Sequence, residues 1–399
     1  MNRHPTIVAI VLACATFASA QTAPPTPAAP VDPAAKAQHL IDAGLAYLRS
    51  QQQPDGSWQL TDRDPPALTA IILKGFVQSP NYSTNDDFVR KGYDKLLSYQ
   101  LETGGIYKDA LASYNTAISI SSLTAAKDPK FQPAIDKAVA YLKKLQWAGD
   151  TQAEDNRFDK TWEGGWGYGG RSRGGGRPDL SNAQLALDAL KDAGLPPEDP
   201  AYKNAIAFVT RLQNRSASNA ASWATNDGGF IYGPSGDGQG ESMAGQYTTE
   251  AGDRKLRSYG SMTYAGLKSF IYAGLTKDDP RVKAAFDWIA NNFTLDENPG
   301  MAAAGPDMAR YGLFYYYMTL SRALNAFDEP TLTALPSQQP HDWRVELIDK
   351  LAGMQNTDGS WIGEKRWYED NPRLATAYAV ISLQEALADL KEHPAAPRP

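Results

Sequence analysis

Six segments of this chain repeat one helical pattern, and an internal repeat of that kind limits the folds open to it more than any single motif. The segments begin at Ala43-Gly44-Leu45, Lys91-Gly92-Tyr93, Lys137-Ala138-Val139, Asn204-Ala205-Ile206, Ala284-Ala285-Phe286 and Glu346-Leu347-Ile348. Each carries an apolar residue three positions further on: Leu48, Leu96, Leu142, Val209, Ile289 and Leu351. That spacing makes one apolar helical face. On the same register come Gln52, Gln100, Gln146, Gln213, Phe293 and Gln355. A glutamine returning on an apolar register predicts a repeated structural hydrogen bond, not a set of catalytic sites.

A glycine-rich turn follows each glutamine, usually with an aromatic: Gly56-Ser57-Trp58, Gly104-Gly105-Ile106-Tyr107, Gly164-Gly165-Trp166, Gly228-Gly229-Phe230 and Gly359-Ser360-Trp361. The fifth repeat keeps only Gly300. A second helix is predicted after each turn, over Ala67–Val77, Tyr114–Ala126, Leu180–Ala193, Tyr259–Ala273, Tyr311–Ala326 and Leu374–Leu390, with Thr69, Thr116, Asn182, Ser261, Gly312 and Thr376 early in it. Their first turns carry little charge, which suits an inner ring buried on more than one side.

Gln52-Gln53-Pro54-Asp55-Gly56-Ser57-Trp58 and Gln355-Asn356-Thr357-Asp358-Gly359-Ser360-Trp361 resemble the Q-x3-G-x-W repeat of squalene–hopene and oxidosqualene cyclases, and degenerate copies run from about residue 40 to 390. The resemblance, shared with protein prenyltransferases, implies an all-α (α/α)6 toroid of six inner and six outer helices, with the motif as a clasp between repeats. It also implies where chemistry would sit. Squalene–hopene cyclases protonate their substrate with a D-x-D-D acid at an inner-helix start; the nearest fragment here is Asp62-Arg63-Asp64-Pro65, which lacks the adjacent acid pair. Protein prenyltransferases hold zinc with Asp, Cys and His, and complement-type thioester proteins need a reactive Cys.

Cys14 is the only cysteine, and it falls in a segment that reads as a secretory signal. Arg3 and His4 are followed by an apolar stretch from Thr6 to Phe17 and a small-x-small site at Ala18-Ser19-Ala20. Cleavage there leaves no cysteine, which excludes thiol chemistry, disulfides and Cys-based metal sites. Val11-Leu12-Ala13-Cys14 offers the minor alternative of a lipid anchor at Cys14. The expected organisation is a signal peptide over 1–20, an Ala/Pro-rich linker over 21–38, the toroid over 39–390 and a Pro-rich tail over 391–399, placing the protein in the periplasm or outside the cell. No run is long and apolar enough to span a membrane. His39, His341 and His393 lie far apart, so no metal or other cofactor is expected. A formal net charge of -6 without a basic tract excludes nucleic acid as a partner.

Every outer-to-inner connection of such a toroid emerges at one end, and three are long: Trp147–Asp179, Asn214–Ser258 and Thr294–Arg310. Loops of that length in a compact domain are commonly functional. They carry Trp162, Trp166, Tyr168, Trp223, Phe230, Tyr232 and Tyr247 and are expected to cover the cavity. An arginine precedes five inner helices (Arg63, Arg177, Arg257, Arg310 and Arg373), against the helix dipole. Two readings follow: an anion site at the mouth, or pairing with Asp62, Asp64, Asp179, Asp253, Asp307 and Asp370. Tyrosines crowd the inner helices, including Tyr259, Tyr264, Tyr311 and the run Tyr315-Tyr316-Tyr317, which cannot all face one side. Of the adjacent acid pairs, Asp86-Asp87 and Asp278-Asp279 read as helix-start acids, while Glu369-Asp370 lies at the loop-rich end.

The candidate ligand-binding residues are thus Trp166, Tyr168, Arg177, Arg257, Tyr259, Arg310, Tyr311 and Tyr315, and the candidate catalytic residues Asp64, Asp179 and Tyr264. Three classes stay open. One is a terpenoid-type protein that binds or transforms a small molecule or lipid in its central cavity. Another is a carbohydrate-active or glycan-binding protein; the third is a non-catalytic interaction scaffold. A closed aromatic cavity, an open cleft with Arg, Tyr and acid, and a filled barrel would mark them respectively.

Overall fold

The computed structural model describes Met1 and residues 32–147, 160–169, 176–235, 239–334 and 337–395. Residues 2–31, which hold all of the expected signal after Met1, Cys14 and the linker as far as residue 31, lie outside the described residues, as do the last four residues of the tail. Twelve α-helices alternate between an outer and an inner ring among the described residues. The outer helices are α1 (Pro33–Ser50), α3 (Asp87–Leu97), α5 (Gln132–Lys144), α7 (Pro200–Thr210), α9 (Pro280–Asn292) and α11 (Trp343–Ala352). The inner helices are α2 (Pro66–Gln78), α4 (Ala112–Ala125), α6 (Leu180–Asp192), α8 (Gly260–Tyr272), α10 (Leu313–Phe327) and α12 (Pro372–Glu392). Each inner helix packs on the next, and α12 packs back on α2, so the ring closes. The fold is an (α/α)6 toroid. Helix α1 begins at Pro33, inside the stretch expected to be linker. Two short antiparallel hairpins, Gln246–Thr248 with Arg254–Leu256 and Thr331–Thr333 with Pro340–Asp342, decorate the loops.

Local chemistry starts the outer helices. Asp32-Pro33, Asp199-Pro200 and Asp279-Pro280 each put a proline at the first helical position and an aspartate that accepts a first-turn N–H. The repeated glutamine then joins the rings. Gln52 Nε2 donates to Gly56 O of its own turn at 2.9 Å and to Phe88 O of the next outer helix at 2.8 Å. Gln100, Gln146, Gln213 and Gln355 repeat that double bond, with Ala134 O, Ala201 O, Arg281 O and Leu40 O as the distant acceptors. The last of these joins the end of the chain to its beginning. Trp58, Trp166 and Trp361 are fully buried, and their indole N–H groups donate to Leu48 O, Leu142 O and Leu351 O. Those last-turn carbonyls otherwise accept the tighter i to i+3 bonds from Gln51 N, Leu145 N and Met354 N that close their helices. Thr69, Thr116 and Thr376 receive the N–H of Trp58, Ile106 and Trp361. In the fourth repeat Thr263 does so for Phe230, two residues beyond Ser261.

The fifth repeat shows what replaces the clasp. Phe293 lies against the His341 ring at 5.1 Å, and Tyr316 and Tyr317 donate their hydroxyls to Thr294 O at 2.8 Å and Leu295 O at 2.5 Å. An open groove of ≈ 670 Å³ remains between the end of α9 and α11. The tyrosine run is thereby divided: Tyr316 and Tyr317 hold the loop, and Tyr315 faces the lumen.

Candidate functional site

The first turns of the inner helices meet at one end of the ring, and neighbouring repeats cap several of them. Asn115 Oδ1 of α4 accepts the N–H of Ala67 in α2, Asn298 Oδ1 accepts that of Ser261 in α8, and Tyr168 O accepts that of Ser113 in α4. Glu369 reaches across to α10 and accepts from Phe314 N at 3.2 Å and Tyr315 N at 2.8 Å. Asp179 and Asn371 cap α6 and α12 from within. Inner-helix N–H groups that could have held an anion are therefore already engaged.

Below these caps the lumen holds a cavity of ≈ 370 Å³, at the lower end of the roughly 300–1,000 Å³ typical of ligand pockets. Tyr168, Tyr232 and Met243 line it from the long loops, and Tyr114, Tyr259, Tyr315 and Tyr378 from the inner-helix ends. Arg63, Trp367 and Tyr368 form its exposed rim. Its floor is the Tyr114–Tyr315–Tyr378 layer: Tyr315 lies edge-on to Tyr378 at 6.1 Å and hydrogen-bonds Ser181 Oγ and Gln184 Nε2. A space of only ≈ 30 Å³ lies beneath. Further down, Lys74, Asp188, Asp192, Lys268, Arg322 and Glu385 form a buried ion network across the barrel.

Three lining residues hold left-handed backbone without being glycine: Leu111 (φ 58°), Trp367 (φ 59°) and Tyr368 (φ 65°). Such conformations cost about 1–2 kcal/mol each and gather where function constrains the chain. Gly312 leaves room for the Trp367 indole, whose Cε3 would lie 2.9 Å from an added Cβ.

Two acids in this wall are buried. Burial pushes the Glu369 carboxyl up to about 7, against the lowering effect of the α10 N–H groups. It does the same to Asp179, up to about 7, despite hydrogen bonds from Asn182 and the Tyr232 hydroxyl. The folded chain keeps two protons that the unfolded chain releases near pH 4, so this stability is full below that pH and is lost as pH rises through about 7. Between pH 5.5 and 8 the loss is about 2 kcal/mol per group. Denaturant unfolding is expected to give a higher midpoint at pH 5.5 than at pH 8, with Glu369→Gln removing about half of the difference. Equal midpoints in the wild type would show that both carboxyls are already ionised at pH 5.5.

The structure brings together part of the expected set. Tyr168, Tyr259 and Tyr315 line the cavity, and Asp179 lies directly behind Tyr232. Tyr311 supports the rim through an edge contact to Trp367 at 6.2 Å. Asp64 lines the mouth, but its carboxylate is held by Leu60 N and Thr61 N, closing a turn. Trp166 is withdrawn by its clasp, and Tyr264 packs in the core against Tyr316 at 5.7 Å. Of the arginines, only Arg63 lines the cavity. Arg177 meets Glu241 at 4.0 Å, Arg257 lies over the Tyr247 ring, Arg310 is exposed away from the wall, and buried Arg373 reaches Gln51. Neither the anion site nor the expected aspartate pairing is formed among the described residues. Asp279 caps α9, as a helix-start acid should. Asn115, Asn298 and the whole ion network escaped the sequence reading, as did the part that Trp367 and Tyr368 play at the rim.

No family model matches this chain, and no curated protein sequence matches it. Solved structures do. One is a variant of the type II terpene cyclase MstE from Scytonema in complex with geranylgeranyl dihydroxybenzoate: 13% identity, TM-score 0.54, covering 90% of this chain and 99% of that one. Another is the GH76A α-1,6-mannanase from Salegentibacter sp. HEL1_6, at 9% identity and TM-score 0.53 over 90% of this chain and 99% of that one. An α-amylase from Clostridium perfringens matches at 12% identity and TM-score 0.52, over 89% and 99%. At such identities these likenesses concern architecture, and terpene cyclase and glycosidases share it: the chain is an α/α toroid.

Proposed function

We propose that this protein binds a small, largely apolar molecule of terpenoid type in the lumen. The observation that carries the reading is the aromatic cavity itself, with Tyr168, Tyr232, Tyr259, Tyr315 and Tyr378 around the buried carboxyl of Glu369, and buried Asp179 behind Tyr232. Such a wall gains from apolar contact and offers few groups to satisfy the hydroxyls of a sugar chain. The terpene cyclase likeness supports the reading only through its shared architecture. The apolar stretch ending at Ala18-Ser19-Ala20 supports export, and we place the binding outside the cytoplasm on that ground. Exposed Trp367 and Tyr368 favour a second reading, stacking on a glycan at the rim.

Titration with farnesol and with maltotetraose, followed by tryptophan fluorescence, separates the two. Saturable binding of farnesol, weakened by Tyr315→Ala, is the expected result. Saturable binding of maltotetraose with none of farnesol would overturn the lumen reading in favour of the glycan.

A further inference from the structure

We propose that the molecule held in the lumen carries a positive head without N–H groups, a quaternary ammonium, seated on tyrosine faces with Glu369 as its counter-ion. This deepens the lumen reading and rests on it.

Glu369 is fully buried and borders the cavity. Its carboxyl accepts backbone N–H groups of α10, yet no Lys or Arg stands within ion-pair distance of it among the described residues. The charged and titratable groups that act on it or feel it are Glu364, which pushes its proton affinity up, and the hydroxyls of Tyr317 and Tyr378. Arg63 and Asp64 sit further out at the mouth. Nothing inside the cavity supplies the missing positive charge.

The rest of the wall suits a cation and not an anion. The capped helix starts offer an anion few free donors. Aromatic faces present the negative side of their quadrupole, which attracts a cation most strongly where water is excluded. The overall charge of -6 favours approach of a cation as well. The Tyr114, Tyr168, Tyr232, Tyr315 and Tyr378 hydroxyls are already paired with one another or with Asp179, Ser181 and Gln184, so a primary amine would bury three N–H donors against acceptors in use, whereas a methylated nitrogen presents only C–H groups.

Benzyltrimethylammonium and neopentylbenzene have the same shape and differ by one charge. Calorimetric titration at pH 8 is expected to show the ammonium binding more than about tenfold tighter. Its arrival ionises Glu369 and releases a proton, so its affinity should fall about tenfold from pH 8 to pH 6 while that of the hydrocarbon stays constant. Glu369→Gln should cut the preference back to what the tyrosine faces alone supply and remove most of the pH dependence, leaving only the smaller part due to Asp179 behind Tyr232, while farnesol still binds. The wild-type pair decides the matter even if that variant folds poorly. Equal affinity of the two probes, or binding of farnesol alone, overturns the cationic head and leaves the lumen reading standing. Binding of none of the three overturns both.

Discussion

Gly164→Ala should cost this protein about 4–6 kcal/mol, most of its margin of stability. Gly164 lies at φ +88°, where an added Cβ would overlap the carbonyl oxygen of Asn204 and lie 2.6 Å from its carbon. The left-handed backbone alone accounts for about 1–2 kcal/mol. The remainder comes from the clasp. Asn204 belongs to α7, so relief requires α7 to move as a body. That motion breaks the bonds of Gln146 to Gly164 O at 2.9 Å and to Ala201 O at 3.0 Å, each worth about 1 kcal/mol net. Buried carbonyls left without donors add about 1–3 kcal/mol each. Gly194 is the matched control. It lies at φ +76° with nothing within 4 Å of an added Cβ, so Gly194→Ala should cost only about 1–2 kcal/mol. Guanidinium unfolding followed by far-UV circular dichroism measures both. Equal losses would mean that the glycine is kept for its backbone angle and that the clasp contributes nothing of its own.

That contrast also marks what could be read from the chain. The glutamine and the glycine recur at fixed spacing, and each repeat solves the same packing problem, so the clasp, the two rings and the helix bounds were legible. The lumen was legible where it is built from repeat positions, as at Tyr259 and Tyr315, and from the loops only at Tyr168. Arg177, Arg257 and Arg310 precede inner helices just as Arg63 does, yet only Arg63 lines the cavity. Long loops of different lengths take each of the others elsewhere, and no periodicity governs that. Glu369 could be noted as one of an acid pair; that it caps α10 depends on how the sixth repeat closes against the fifth. The ion network did leave a trace. Lys74, Asp188 and Lys268 each stand at the ninth position of an inner helix whose first eight residues carry no charge, at one height in the barrel. A charge recurring at one depth of a buried ring calls for partners on the facing helices.

The same network carries the second large effect. Asp188 is 1% exposed and accepts from Lys268 Nζ at 2.8 Å and Arg322 Nη1 at 2.5 Å. Removing it as Asp188→Ala leaves two buried cations sharing Asp192 and Glu385, the nearer of which stands 3.5 Å from Arg322. Breaking a buried ion pair from one side costs about 3–5 kcal/mol, because the abandoned charge stays desolvated. Lys268 has a way out that Arg322 lacks. Burial already draws its ammonium down to about 8, with Asp188 opposing the shift. Without Asp188 the lysine gives up its proton more readily still. A lysine whose folded value is depressed binds fewer protons folded than unfolded, so stability rises with pH until the unfolded value near 10.5 is passed. The deficit of Asp188→Ala is therefore expected to be largest at pH 7 and to shrink by about 1–2 kcal/mol at pH 9.5, as measured by guanidinium unfolding. Asp188→Leu combined with Lys268→Met should recover much of the loss at pH 7, since buried ion pairs are often replaced by apolar side chains at little cost. A deficit below about 1 kcal/mol, independent of pH, would mean that water reaches the network. The barrel would then be open below its tyrosine layer, and the lumen cavity would have no closed floor.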